Sequence, residues 1–306
     1  MTSKSVPVSV VICTRDRPDD LRRCLASVAA LEPAPKEVIV VDQGETPFHP
    51  PPGLPSFRHE RMRERGLSRA RNRGLSLARE SIVAFLDDDC VVPRTWAADV
   101  HATFARHADA GLVFGTVVGS NEAQGAYVPT YSVERERTFE GRWAASQAHG
   151  MGAAMYVRSS VRAVVGEFDP RLGAGGDFHS SEDWDYTFRA LAAGIVVVET
   201  PAIVVRHFGA RNYADGSAGE LLRRNAYSHG AVHAKLLRCL DPIAAVLVLS
   251  ELGTLIGALR PWNALMRRPT NGARLLHYVR GLLVGLRAPV RRKERLFGKV
   301  AAQTLT

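Results

Sequence analysis

The sequence predicts an α/β protein, a mostly parallel sheet with helices on both faces, followed by a helical C-terminal region. Three observations predict it. Short β-branched apolar runs alternate with helical patterns through the first half of the chain. Those runs end on polar residues, at 14–16, at Asp42 and Gln43, and at the triplet Asp87, Asp88 and Asp89. Beyond Gly219 the strand signals give way to helical ones.

The elements follow in order. Residues 8–13 form a β-branched run, and after Pro18 the residues Leu21, Leu25, Val28 and Ala29 share one helical face. A strand over 37–41 ends at Asp42, a proline-rich loop occupies 46–55, and a further strand is placed at 57–61. A helix over 68–79 leads into a strand over 82–86 that ends on the acidic triplet. Strands are expected at 112–118 and 153–157, with a long polar, substrate-facing or mobile segment at 119–149 between them. A helix from Ser159, a glycine-rich loop at 173–176 and a helix starting near Ser181 follow. A strand over 195–205, interrupted at Pro201, then reaches Arg206 and His207. The division expected is a catalytic domain over 1–211 and a helical, basic region over 212–306.

Composition bounds the setting. The 306 residues suffice for one large domain or two modest ones, and 46% of them are apolar. Cys13, Cys24, Cys90 and Cys239 have no paired spacing, which argues against a disulfide framework or a cysteine-based zinc site and for a reducing compartment. The N-terminus lacks the apolar region of a signal peptide, so a cytoplasmic protein is expected. The net charge is +9, and residues 260–306 alone hold eleven Lys or Arg against Glu294. Such a block meets phosphate, in nucleic acid or in anionic lipid. No aromatic stacking pattern or nucleic-acid module accompanies it, so no nucleic-acid partner is expected. The apolar stretch 242–259 has eighteen residues, with Glu251 in it, where a membrane span needs about twenty. With the amphipathic stretch 273–287, it predicts helices lying in the interface of an anionic membrane surface.

The acidic triplet carries the clearest chemistry. Three adjacent carboxylates at the end of an apolar strand repel one another, an arrangement suited to holding Mn²⁺ or Mg²⁺. In an extended strand, Asp87 and Asp89 would point to one side and Asp88 to the other. In open parallel sheets ligands bind beyond the carboxyl ends of the strands, so the three polar clusters are expected to converge on one crevice.

The ordered set VSVVICTR (8–15), EVIVVDQG (37–44), GLSRARNRG (66–74), VAFLDDDCVVP (83–93), GEFDPRLGAGG (166–176) and EDWDYTFR (182–189) closely resembles the inverting family 2 glycosyltransferases with the GT-A fold. The resemblance implies a hexosyltransferase working by single displacement from a UDP- or dTDP-sugar, with a DXD-type metal motif, in cell-surface polysaccharide or glycolipid synthesis. It implies that Thr14 and Arg15 line the nucleotide pocket, that Asp42 recognises the base, and that Arg71 lies close to the nucleotide. Asp87 or Asp88 would contact the ribose, and Asp89 would ligate the metal, with His207 as a further ligand. Asp183 would be the catalytic base, while Glu182 and the loop glycines Gly175 and Gly176 would serve the acceptor. Together with the basic tail, this predicts a nucleotide-sugar donor, a glycan or lipid-linked acceptor, and a peripheral position on the inner face of the cell membrane.

Three other readings compete. Asp87, Asp89 and Val91 match the spacing of haloacid-dehalogenase-like phosphatases, where the first Asp is a nucleophile. Such a motif closes the first strand of its domain, whereas here two strand–helix units precede it. A membrane-docked, catalytically inactive nucleotide-binding scaffold would leave Asp42, Asp89 and Asp183 without a purpose. A nucleotidyltransferase would need glycine in the loop after the first strand, and residues 13–17 contain none.

Overall fold

The structure, a computed structural model, describes residues 5–46, 48–120, 126–257 and 271–298. Part of the basic tail, Arg260, Arg267, Arg268 and Lys299, lies outside the described residues, as do 258–259 of the apolar stretch. The chain divides into two units: Met1–Phe168 with Glu182–Asn212, and Asp169–Ser181 with Tyr213–Thr306. A single cut between 211 and 212 therefore separates the glycine-rich loop from the C-terminal helices with which it packs.

The first unit contains β1 (Val6–Thr14), α1 (Pro18–Ala29), β2 (Pro35–Asp42), β3 (Phe57–Arg61), α2 (Leu67–Leu77), β4 (Ile82–Asp87), β5 (Cys90–Val91), α3 (Trp96–Arg106) and β6 (Ala110–Gly119). It continues through β7 (Arg137–Phe139), β8 (Met155–Arg158), α4 (Val161–Val165), α5 (Glu182–Ala192) and β9 (Val196–His207). The sheet order is β3-β2-β1-β4-β8-β6-β9-β5, with β7 also paired to β9. Pairs β1–β2, β1–β4, β2–β3 and β6–β9 are parallel, while β8 runs antiparallel to both β4 and β6.

The strands at the centre are apolar on both faces because helices cover both. Val8, Val10, Val11 and Ile12 of β1 are all fully buried. On one face, α1 starts with Pro18 in its first turn, two acids beside it, and buries Leu21, Cys24, Leu25 and Val28. On the other, α2 lies so close to β1 that a methyl group at Gly74 would stand 2.3 Å from Val11 Cγ1. The helix α3 is absent from the sequence-based expectation. It anchors through fully buried Trp96, whose indole N–H donates to Tyr156 Oη at 3.0 Å.

Two expectations change. Pro201 does not break β9: the strand runs through it, and the register against β6 shifts between Phe114 and Thr116, so that Pro201 sits in a bulge that needs no ladder donor. The long segment after β6 is built into the sheet over its described residues, 126–149. Tyr131 bridges to Val117, β7 pairs with β9, and the fully buried Glu199 accepts from Tyr131 Oη at 2.7 Å and the His149 N–H at 2.9 Å, and pairs with Arg137.

The second unit contains the loop Asp169–Ser181, α6 (Ser217–Arg238), α7 (Ala244–Gly257), α8 (Asn271–Arg287) and the hairpin β10 (Val290–Arg291) and β11 (Leu296–Phe297). Helices α6 and α8 cross at backbone contact: a methyl group at Gly281 would fall 1.9 Å from the Tyr227 carbonyl, and one at Gly230 would fall 2.1 Å from that of Tyr278. Small residues are thus the condition for this crossing. Lys235 of α6 and Asp169 of the loop, both without solvent exposure, pair at 2.8 Å, and the Phe297 N–H donates to the same carboxylate at 2.7 Å. Burial alone would raise the Asp169 pKa, but Lys235 outweighs it and holds the carboxyl below the usual range. This knot fixes loop, helix and hairpin to one another.

Candidate active site

The carboxyl ends of β1, β2 and β4 supply half of the expected site residues. Thr14 closes β1, and its hydroxyl donates to Asp88 Oδ2 at 2.7 Å. Arg15 is exposed beside it. Asp42 closes β2 and is almost fully buried; its Oδ1 accepts the Gly44 N–H at 2.8 Å and its Oδ2 lies 3.0 Å from His59 Nε2 on β3.

The triplet does not follow strand alternation, because β4 ends at Asp87 and a turn begins. Asp87 faces Arg71 at 3.3 Å, whereas Asp88 and Asp89 share the guanidinium of Arg17, each at 3.1 Å. Burial lifts the Asp88 pKa to about 6 even though Arg17 and Thr14 oppose the rise. Burial would raise Asp89 as well, but the hydrogen bond and charge of His207, with Arg17, outweigh it and keep this carboxyl below its ordinary value.

His207 reaches Asp89 through tertiary pairing. The two-residue strand β5 runs antiparallel to the end of β9, placing Cys90 opposite His207, and the Phe208 N–H donates to the Asp89 carbonyl at 2.8 Å. His207 Nε2 stands 3.2 Å from Asp89 Oδ1, and Nδ1 lies 3.0 Å from the Pro129 carbonyl. With Nδ1–H donating to that carbonyl, Nε2 is the nitrogen turned toward Asp89: protonated, it donates to the carboxylate, and deprotonated, it would offer its lone pair to a cation held between the two.

The pair fits a divalent cation on a further observation. A methyl group at Gly209 would lie 2.6 Å from His207 Nε2 and 2.7 Å from Asp89 Oδ2, so glycine keeps the space in front of both donors clear. Asp89, Cys90 and His207 form a group of potential ligand atoms within 4.8 Å of one another. Burial pushes the Cys90 thiol well above its ordinary pKa, which keeps it protonated and a poor ligand, so the carboxylate of Asp89 and the imidazole of His207 are the fitting members.

Arg71 is no surface arginine. Helix α2 turns it inward to 2% exposure, with Nη1 2.8 Å from Glu182 and Nη2 facing Asp87, over the rings of Phe85 and Phe168. Burial disfavours its charge, but Glu182 and Asp87 more than compensate, raising its pKa. Glu182 rises to about 7, through burial first and the adjacent Asp183 second, against the pull of Arg71. Glu182 at the start of α5 is therefore joined through Arg71 to the end of β4 in one network.

Asp183 is partly exposed, and each of its oxygens accepts one backbone N–H at 2.7 Å: Oδ2 from Gly152 and Oδ1 from Trp184. A methyl at Gly152 would approach Arg71 Nη2 to 2.8 Å and Asp183 Oδ2 to 3.0 Å, so glycine is what lets this N–H reach the carboxylate. A carboxylate oxygen has about two lone-pair sites, so one on each remains for a hydroxyl. Asp185, by contrast, braces the helix: it pairs at 3.0 Å with Arg189, which also donates to the carbonyls of Val165 and Glu167.

Gly175 and Gly176 belong to the second unit. Gly175 has φ +80°, and a methyl at Gly176 would lie 2.8 Å from the carbonyls of Arg171 and Leu172, so both are explained by the tight course of their own loop. Sequence reasoning missed Arg17, His59, Gly152 and Gly209. The Arg17 side chain follows Thr14 by three residues and was visible as a charge; the others gain meaning only from partners far along the chain.

Solved structures of similar architecture include S. aureus TarS 1–349, at TM-score 0.51 and 15% identity over 92% of this chain and 90% of that one. The same fragment in complex with UDP-GlcNAc matches at TM-score 0.52 and 16% identity over 92% and 90%. A further TarS structure matches at TM-score 0.53 and 15% identity, over 93% of this chain and 56% of that one. These likenesses place the fold among GT-A proteins. No curated protein matches the sequence. The model of the family described as glycosyl transferase family 2 matches residues 9–163, from β1 through β8 and into α4, including Thr14, Asp42, Arg71 and the whole acidic triplet. With half of the chain matched and both the acidic turn and the mixed sheet in place, this chain belongs to glycosyl transferase family 2.

Proposed function

We propose that this glycosyltransferase is an inverting, metal-assisted hexosyltransferase. Its donor is a nucleoside diphosphate sugar, UDP- or dTDP-linked, and its acceptor is a hydroxyl of a glycan or lipid-linked molecule in cell-surface polysaccharide or glycolipid synthesis. It works in the cytoplasm, peripherally on the inner face of the cell membrane. The observation that carries the reaction type is Asp183, a partly exposed carboxylate aimed by two backbone N–H groups and joined through Arg71 and Glu182 to the acidic turn.

In the proposed step the acceptor oxygen attacks the anomeric carbon from the face opposite the nucleotide, and its proton passes to Asp183. The bond from the anomeric carbon to the phosphate oxygen breaks, its electron pair leaving with the nucleoside diphosphate. Mn²⁺ or Mg²⁺ held by Asp89 and His207 would neutralise charge on the pyrophosphate. Asp42, Thr14 and Arg15 are assigned to the nucleotide, Asp88 to the ribose, and Glu182, Gly175 and Gly176 to the acceptor side. Arg71 and Asp87, paired to each other, hold the floor of the donor site. A TarS structure contains UDP-GlcNAc, which favours a uridine diphosphate sugar among the donors to be tried first. The phosphatase reading would need Asp87 as a nucleophile, and its carboxylate is engaged by buried Arg71.

The test is Asp183→Asn. Transfer should fall by about 10²–10⁴-fold while UDP binding persists, and the product of the unmodified enzyme should show inverted anomeric configuration by NMR. Retained turnover in the variant, or retained configuration, would overturn the assignment.

A further inference from the structure

We infer that α7 and α8 of the second unit form a docking face for an anionic lipid surface. The inference rests on the membrane-proximal part of the proposed function and is independent of its chemistry. Helix α8 buries Tyr278, Gly281 and Gly285 on its inner side. Its outer side exposes Leu276 at 68% and Leu283 at 46%, with Arg280 and Arg287 exposed between and after them. The spacing 276, 280, 283, 287 sets all four on one stripe of a helix. Leucine and arginine thus alternate along the same line, rather than dividing into an apolar and a charged face.

That alternation suits a bilayer boundary. Leucines enter the acyl margin while guanidinium groups stay at phosphate depth on their flexible stems. The neighbouring α7 turns Val246, Leu249 and Ile256 outward, and its remaining exposed positions are uncharged. At the C-terminal end of α8 the hairpin exposes Arg291, Arg292 and Lys293 beside a lone acid, Glu294, which concentrates positive charge next to the apolar row. A second copy of the chain fits this face poorly, because a two-fold contact centred between the two arginines would set Arg280 against Arg287 of the other copy, like charge against like charge. No helix among the described residues is long and apolar enough to cross a membrane.

Docking also positions a loop of the same unit. The segment carrying Gly175 and Gly176 is tied to α6 and the hairpin by Asp169, Lys235 and Phe297, so the docked unit carries it to the lipid. A lipid-linked hydroxyl is then delivered to it from a surface rather than from solution.

The experiment is co-sedimentation of the full chain with vesicles of phosphatidylcholine alone and of phosphatidylcholine with phosphatidylglycerol, at low and high salt. Binding should require phosphatidylglycerol and weaken as salt rises. Arg280→Glu with Arg287→Glu, and separately Leu276→Asp with Leu283→Asp, should each lower the affinity about tenfold or more. All four positions are exposed, and the UDP-induced rise in Tm should be unchanged in both variants. Binding that ignores lipid charge, or that survives both variants, overturns the inference. So does absence of vesicle binding together with a dimer, seen by light scattering, that the variants split. Loss of the nucleotide response with vesicle binding intact would instead count against the transferase reading alone.

Discussion

A methyl group at position 209 would stand 2.6 Å from His207 Nε2 and 2.7 Å from Asp89 Oδ2. The backbone of Gly209 does not adopt a conformation reserved for glycine, so alanine changes the space and little else. Gly209→Ala should therefore leave the fold intact and weaken Mn²⁺ binding about tenfold or more, read as loss of the Mn²⁺-dependent part of the nucleotide-induced Tm shift. An unchanged metal response would move the ligands elsewhere. At the same scale, Arg71 shows how burial reassigns a residue. On a helical wheel it is one arginine among several; in the fold it is the counter-charge that lets Glu182 enter the interior and that holds Asp87 at the interior's edge.

Elements bring these residues together, and their placement was unevenly legible. The helices and strands up to β4 could be read because their apolar periodicity is set by burial on a covered parallel sheet. The contacts that complete the site could not. Strand β5 has two residues, too few for any period, yet its pairing with β9 is what brings His207 to Asp89. The bulge around Pro201 was read as a break because proline cannot donate to a ladder, and the sheet solves this with extra residues rather than by ending. In the second unit the decisive element contact is Lys235 with Asp169. Lys235→Met should lower stability by about 3–5 kcal/mol, since it strands a carboxylate in the interior. Urea denaturation would measure it, and a midpoint close to that of the unmodified chain would show that the backbone N–H groups of Phe297 and Arg171, which both donate to Asp169, suffice.

At the scale of the whole molecule, a ligand that binds only the folded chain raises its Tm, so a panel of UDP, dTDP, GDP and CMP, each with and without Mn²⁺, reads donor class directly. One of the first two should give the largest shift, and the shift should depend on Mn²⁺; a flat response across the panel would remove the nucleotide-sugar proposal. The sequence by itself determined the α/β class, the order of its early strands and helices, and the candidate residues Thr14, Asp42, Asp87 to Asp89, Glu182 and Asp183. Thr14, Asp42 and Asp87 to Asp89 each close an apolar run, whereas Glu182 and Asp183 open a helical pattern and stand out through the family resemblance; local patterns of this kind are what a sequence displays. Only the tertiary structure decided that Asp88 and Asp89 share Arg17, that Asp87 and Glu182 share Arg71, and that Gly152 and Gly209 leave room beside Asp183 and His207. It also decided that the glycine-rich loop belongs with the C-terminal helices. Those outcomes depend on distances between residues far apart in the chain, and no spacing along the sequence encodes them.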